Sequence, residues 1–317
     1  MIRRYCQSLA QGARVGAAAW DRFWFTPASP RLLGIMRILT GAMLVYTHAV
    51  WSLELATFFS DDGVLPLDYA RGLYPGAAGW WTHFEWVKSS AAMWFTHGIA
   101  LLVMALFTVG LWTRVTAALS FLFLVSYAHR ATGALFGLDQ INGFLTLYLA
   151  IGPSGAAYSL DAWRRRRRSL PDATQPSTLA NIAQRLIQVH LCVVYLFAGL
   201  SKCQGPSWWV GDALWGAFAS ADYQTIDLTG LAHAMGLVNL ATLVALGWEI
   251  SYPFLIWNRH ARPYYLGLAV LVHLGIGLAM GMMTFGWIMI VANLAFLPSE
   301  ITLFNGQPAA RQSLAAT

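Results

Sequence analysis

The chain has 317 residues, of which 57% are hydrophobic and 11% charged, with a formal net charge of +6. A soluble fold of this size has no core able to hide so much apolar surface. The positive charge sits in short stretches between apolar runs, so it reads as membrane topology rather than as a nucleic-acid surface.

An apolar stretch of roughly 20 residues is needed to cross a hydrocarbon core about 30 Å thick. In chain order, the stretches 32–55, 91–111, 115–135, 138–153, 184–202, 231–257, 263–281 and 283–300 qualify as candidates. The fold expected is therefore an all-α integral membrane protein, a bundle of about eight transmembrane helices with both termini cytoplasmic. Residues 1–30 form a cytoplasmic N-terminal segment with no cleavable signal peptide, 31–302 the transmembrane domain, and 303–317 a disordered tail. The fourth stretch is short and begins with Asp139, Gln140 and Asn142. Its polar groups call for partners on neighbouring helices or a re-entrant path. A polar linker, 161–183, divides the bundle into two halves of four helices.

Basic residues set the orientation. Arg3, Arg4, Arg14, Arg22 and Arg31 precede the first span, Arg114 lies between the second and third, Arg164–Arg168 follow the fourth, and Arg259 and Arg262 follow the sixth. The opposite loops hold Asp61, Asp62, Asp68 and Glu85, then Asp139, then Asp212, Asp222 and Asp227. Eight crossings place all these loops consistently, as expected of a multi-pass protein of a bacterial inner membrane. Two of the outer loops are rich in tryptophan: Trp80, Trp81 and Trp86 in one, Trp208, Trp209 and Trp215 in the other. Such rings suit either interfacial anchoring or the wall of a lipid-facing pocket.

Ionisable groups inside a membrane are costly and therefore informative. Arg37 in the first span and Glu249 in the sixth have similar depths and opposite charges, and a structural ion pair between them is expected. His48, His97, His190 and His273 fall within spans and read mainly as hydrogen-bonded packing. Cys6, Cys192 and Cys203 have no metal-ligand spacing, and no phosphate loop, dinucleotide fingerprint or nucleophile elbow occurs. No cofactor or metal is evident from motifs. Lys202 ends a strongly apolar span as either a snorkelling anchor or a base. Burial penalises the charged form of an amine, and a neutral amine can take a proton near neutral pH.

The segment Tyr195-Leu196-Phe197-Ala198-Gly199-Leu200-Ser201-Lys202, with Trp209-Val210-Gly211-Asp212-Ala213-Leu214 after it, resembles the vitamin K-dependent gamma-carboxylase superfamily, which includes the bacterial HTTM (horizontally transferred transmembrane) proteins. The loop from Phe59 to Pro66, Tyr158-Ser159-Leu160-Asp161, and His273 followed by Phe285 and Trp287 extend the resemblance over roughly 30–300. It implies that Lys202 is a base toward a reduced quinone, used as a co-substrate with oxygen. His273 would be a helper, and Tyr195, Trp208, Trp209 and Trp215 would line the pocket. Ala156 stands where the carboxylases carry a histidine, and the large outer domain of the carboxylases is not expected after the last span. Glutamate carboxylation itself is therefore not carried over. Small relatives include a membrane protein that matures a peptide toxin, so a peptide substrate is a further option. Three readings follow: a quinol- or lipid-using membrane enzyme, a non-catalytic lipid or peptide partner, and a transporter. All place the protein in contact with the bilayer, and none with nucleic acid.

Overall fold

The computed structural model describes residues 2–73 and 79–300. The expected tail at 303–317 lies outside the described residues. The helices are α1 (Ile2–Phe25), α2 (Arg31–Trp51), α3 (Leu55–Phe59), α4 (Leu67–Gly72), α5 (Ser90–Val109), α6 (Thr113–Arg130), α7 (Gly137–Ile151), α8 (Leu160–Arg167), α9 (Thr178–Lys202), α10 (Pro206–Val210), α11 (Ala213–Phe218), α12 (Met235–Leu255), α13 (Arg262–Met280) and α14 (Met283–Asn293). Among the described residues the only β-type pairing is an isolated bridge between Ala28 and Ser177.

Each of the eight apolar stretches is helical. Among the described residues, five helical segments are long and apolar enough to cross a membrane: Arg31–Phe59, Ser90–Val109, Thr178–Lys202, Thr229–Leu255 and Arg262–Met280. The other three stretches fall on α6, α7 and α14, of 18, 15 and 11 residues. At 1.5 Å per residue α7 is about 22 Å long, short of a full hydrocarbon core. It is nevertheless buried by α2, α6, α9 and α14, which pack around it. Its polar start is accommodated there, with Asp139 accepting the Phe136 N–H to close the first turn.

The core runs along α2, α7, α9 and α14, with Leu33, Leu44, Leu145, Ile187, Leu191 and Ile288 fully buried. Helices α5 and α6 flank one side of it, and α12 and α13 the other. Helices α13 and α14 form a tight hairpin. Gly281 turns it at φ +71°, and Gly286 lies so close to the His273 carbonyl that a Cβ would stand 2.2 Å from it. A side chain at 286 would force the hairpin open, so the glycine fixes the position of His273.

Helix α9 begins at Thr178, six residues earlier than the apolar pattern predicts. Ser177 caps it by accepting the Ala180 N–H. The added turns are held by α1, where Asn181 donates to the carbonyls of Phe23 and Trp24 and Arg185 stacks on Phe23. Helix α1 is amphipathic: Tyr5, Leu9, Ala13, Gly16 and Trp20 share one face, and Gln11, Arg14, Ala18 and Arg22 the opposite one. Tyr5, Leu9 and Trp20 are exposed.

Candidate functional site

Lys202 and Glu249 form an ion pair in which the Lys202 ammonium donates to Oε1 at 2.9 Å and to Oε2 at 2.7 Å. Helices α9 and α12 can approach this closely because of Gly199, whose missing Cβ would stand 2.8 Å from Ile250 and 3.3 Å from the Glu249 side chain. Glu249 lies about 21 Å along α12 from Met235 at the helical rise of 1.5 Å per residue. Helix α9 therefore ends well within the height of α12 rather than level with its start. The first half of α12 is flanked instead by the short helices α10 and α11. They are pinned where Gly211 meets Asn239 and where Leu214 donates to Thr242.

The pair is reachable from outside, with the Lys202 side chain 28% exposed and that of Glu249 13%. Trp208 covers it, its ring centroid 5.3 Å from the ammonium. Trp209 is exposed and donates its indole N–H to the Cys203 carbonyl, tying α10 to the end of α9. Trp215 is half-buried on α11, which packs on α12 and α13. Of the three tryptophans, only Trp208 has its ring over the ammonium.

Two turns before Lys202, and on the same face of α9, Tyr195 begins a buried polar chain. Its hydroxyl bonds His273 Nε2 at 2.8 Å and accepts from Asn293 Nδ2 at 2.9 Å. Tyr252 donates to Asn293 Oδ1 at 2.6 Å. Trp248 and Tyr252 pack on the Tyr195 ring at centroid distances of 4.9 and 4.1 Å. His273 Nδ1 is buried without a partner. In a low-dielectric interior such an atom is either a cost or a reserve donor or acceptor. The structure thus brings Tyr195 to His273 and Lys202 to Glu249 and Trp208.

The expected pair between Arg37 and Glu249 is corrected. Arg37 is fully buried and donates to the backbone carbonyls of Ser154, Ala157 and Tyr158. Its helix, α2, neighbours α5, α7 and α14, whereas α12 neighbours α9 and α13. The guanidinium therefore meets the turn after α7, where several carbonyls converge, and Glu249 finds the lysine on its own neighbour. Asp161 completes that turn by accepting from the N–H groups of Trp112 and Thr113 and from the Thr113 hydroxyl. The Tyr158–Asp161 motif is thus used to lock the α5–α6 connection to the start of α8.

The intramembrane histidines are hydrogen-bonded: His48 to the Leu44 carbonyl, His97 to Ser52 and Tyr127, and His190 to Tyr148. Sequence reasoning took them singly. It missed that His48, His83 and His97 converge on the one ring of Tyr127, at centroid distances of 4.9, 5.4 and 5.7 Å. It also missed the true partner of Glu249. A signal was available, since a lysine and a glutamate lie on adjacent candidate spans of the second half. Among the described residues no group of three or more His, Cys, Asp and Glu side chains is placed to hold a metal.

A cavity of about 500 Å³ lies elsewhere, lined by Arg31, Tyr158, Arg165, Arg166 and Asp172 among others. It is a basic notch beside the polar linker. Its one carboxylate, on Asp172, is held below the usual carboxylate range by hydrogen bonds from Thr174 and by Arg31 and Arg166. It offers charge but no acid–base pair, so the Lys202–Glu249 pair is the better candidate for chemistry.

Apolar helices of membrane-crossing length, packed around a part-buried ion pair and buried polar pairs, define an integral membrane protein. The chain belongs to the HTTM-domain family, whose family model matches residues 25–300. Membership is consistent with the vitamin K-dependent carboxylase-like superfamily. No curated protein and no solved structure matches the chain significantly.

Proposed function

We propose that this HTTM-family protein is a membrane enzyme that removes a proton from the hydroxyl of a lipid-soluble compound, a reduced quinone being the substrate class that fits best. The observation that carries this reading is the Lys202–Glu249 pair, sunk well along α12, partly exposed and roofed by Trp208. An acid–base pair at membrane depth is rare and expensive, and function is the usual reason to keep one. The residues fit a phenolic ligand: an aromatic wall, a cation with three donors, and a carboxylate with lone pairs to spare.

The pair also changes the division of labour. A lysine bonded to both oxygens of a carboxylate is poorly placed to be the free neutral base. In this reading Glu249 receives the hydroxyl proton, while the Lys202 ammonium turns to the oxyanion that remains. No net charge is created in the low-dielectric site, because one negative charge moves from carboxylate to substrate. His273, through Tyr195, sets the polarity of the wall behind the pair.

The proposed setting is a bacterial inner membrane, with eight crossings and both termini cytoplasmic. The test is mass spectrometry of quinones and lipids extracted from the purified protein, wild type beside Lys202→Ala and Glu249→Gln. A quinone held by the wild type and chemically different or lost in both variants is the expected result. Absence of any quinone from all three samples overturns the proposal. One observation favours a second reading, a non-catalytic lipid- or peptide-binding partner: the two charges satisfy each other, as a structural pair would. Under that reading the variants change ligand occupancy but never the ligand's chemical state.

A further inference from the structure

A second site, with different lining residues, lies between the loop after α3 and the start of α5. Arg130 ends α6 and is 1% exposed. Its Nε donates to the Phe59 carbonyl and its Nη2 to the Ser60 carbonyl, at 3.2 and 2.6 Å. Nη1 is equally buried and has no partner. A guanidinium is a rigid fork of five N–H donors, and an unused buried arm costs free energy unless a ligand occupies it. Arg130 lines a cavity of about 310 Å³ with Asp61, Asp62, Phe84, Lys88 and Ser89 among its other walls.

The N-terminus of α5, a helix of 20 residues, opens on the same cavity. Ser89 accepts the Ala92 N–H, which leaves the N–H groups of Ser90 and Ala91 available to an anion. The acidic wall is also uncommitted. Asp61 accepts the Leu67 N–H through Oδ1 alone, and among the described residues the Asp62 carboxylate makes no hydrogen bond. Among the described residues the ion pairs are Arg71–Glu85 and Lys202–Glu249, so Arg130, Lys88, Asp61 and Asp62 form no direct ion pair with one another, although the Asp61 charge is close enough to favour the Arg130 cation. A simple anion in this cavity would face two carboxylates, and a simple cation would face Arg130 and Lys88. A ligand carrying both charges satisfies both walls.

We propose that this cavity binds a compact zwitterion of the phosphoethanolamine type. Its oxyanion sits on Arg130, Lys88 and the start of α5, and its ammonium on Asp61 and Asp62. The same chemistry is offered by a lipid headgroup at the membrane edge and by a free zwitterion in solution.

The test uses the full chain in phosphatidylglycerol nanodiscs, titrated calorimetrically with phosphoethanolamine, inorganic phosphate and ethanolamine. Phosphoethanolamine is expected to bind roughly tenfold more tightly than phosphate or ethanolamine, since each tenfold step needs only one added favourable contact of ordinary strength. Asp62→Asn should narrow its preference over phosphate, and Lys88→Gln its preference over ethanolamine. Both side chains are exposed and outside the ion pairs, so these variants keep the fold, unlike changes at Arg130, which holds the loop. Repeating the titration in phosphatidylethanolamine nanodiscs separates the sources. Suppressed binding there assigns the site to the lipid headgroup, and unchanged binding assigns it to a soluble zwitterion. No phosphoethanolamine binding in phosphatidylglycerol discs, or a preference untouched by both variants, overturns the proposal.

Discussion

Glu249 holds Lys202 through both carboxylate oxygens, at 2.9 and 2.7 Å, across the α9–α12 contact that Gly199 permits. Each charge is partly withdrawn from solvent, so each depends on the other. Lys202→Met and Glu249→Leu should each lower stability by about 3–5 kcal/mol, because each strands the opposite charge. The double variant should recover most of that loss, yet stay inactive in quinone turnover. Thermal unfolding in detergent, scored beside turnover, checks both parts. Recovery of activity together with stability would reduce the pair to a structural one.

Arg37 provides the matching negative control. Its guanidinium serves three backbone carbonyls and not Glu249, so Arg37→Gln should destabilise by about 3 kcal/mol through the stranded carbonyls. A double-mutant cycle of Arg37→Gln with Glu249→Gln should give a coupling near zero, as for independent sites. The Lys202–Glu249 cycle should give a large one. A strong coupling of Arg37 to Glu249 would contradict the packing of α2 away from α12.

Removing the Tyr195 hydroxyl strands His273 Nε2 and one Asn293 amide donor. Tyr195→Phe should therefore cost about 1–3 kcal/mol, more than loss of one exposed hydrogen bond. His273→Phe together with Tyr195→Phe should cost less than the sum of the singles, since the orphaned partner is removed as well. Denaturation midpoints of the four proteins test this. Additive losses would mean that the 2.8 Å contact carries no coupling.

Helix α1 leaves Tyr5, Leu9 and Trp20 exposed on the face opposite Arg14 and Arg22. An amphipathic helix of that design lies in the membrane interface, apolar face down. Spin labels at Leu9 and Trp20 should be accessible to oxygen dissolved in lipid, and labels at Gln11 and Arg14 to a water-soluble relaxation agent. Equal accessibility at all four positions would show that α1 stands free of the bilayer.

Much of the fold is legible in the sequence because the bilayer is a simple solvent. Helical apolar stretches are the only open-ended structures that satisfy their backbone there, and every one of the eight stretches is helical. Boundaries were less legible where side chains rather than hydropathy decide them. Ser177, Asn181 and Arg185 extend α9 downward to meet α1, although an apolar count stops at 184. At the site, Lys202 stands out by residue type and position, whereas His273 and Tyr195 are marked only by the family resemblance and Trp208 only as one of three tryptophans in its loop. Their pairing does not follow from residue type, because the ends of a span in the sequence do not give its height in the bundle, and α9 and α12 do not end at the same level.

The sequence by itself determined the class of protein, its family over 25–300, and the small set of charged and polar residues worth attention inside the membrane. Only the tertiary structure decided who meets whom: Lys202 with Glu249, Arg37 with the carbonyls of the α7–α8 turn, and Arg130 with the loop after α3. The reason is physical. Insertion into a bilayer depends on composition summed along one segment, which a sequence displays directly. The partner of a buried charge depends on which helices are neighbours and at what height, and those are set by glycine contacts and packed side chains distant in sequence.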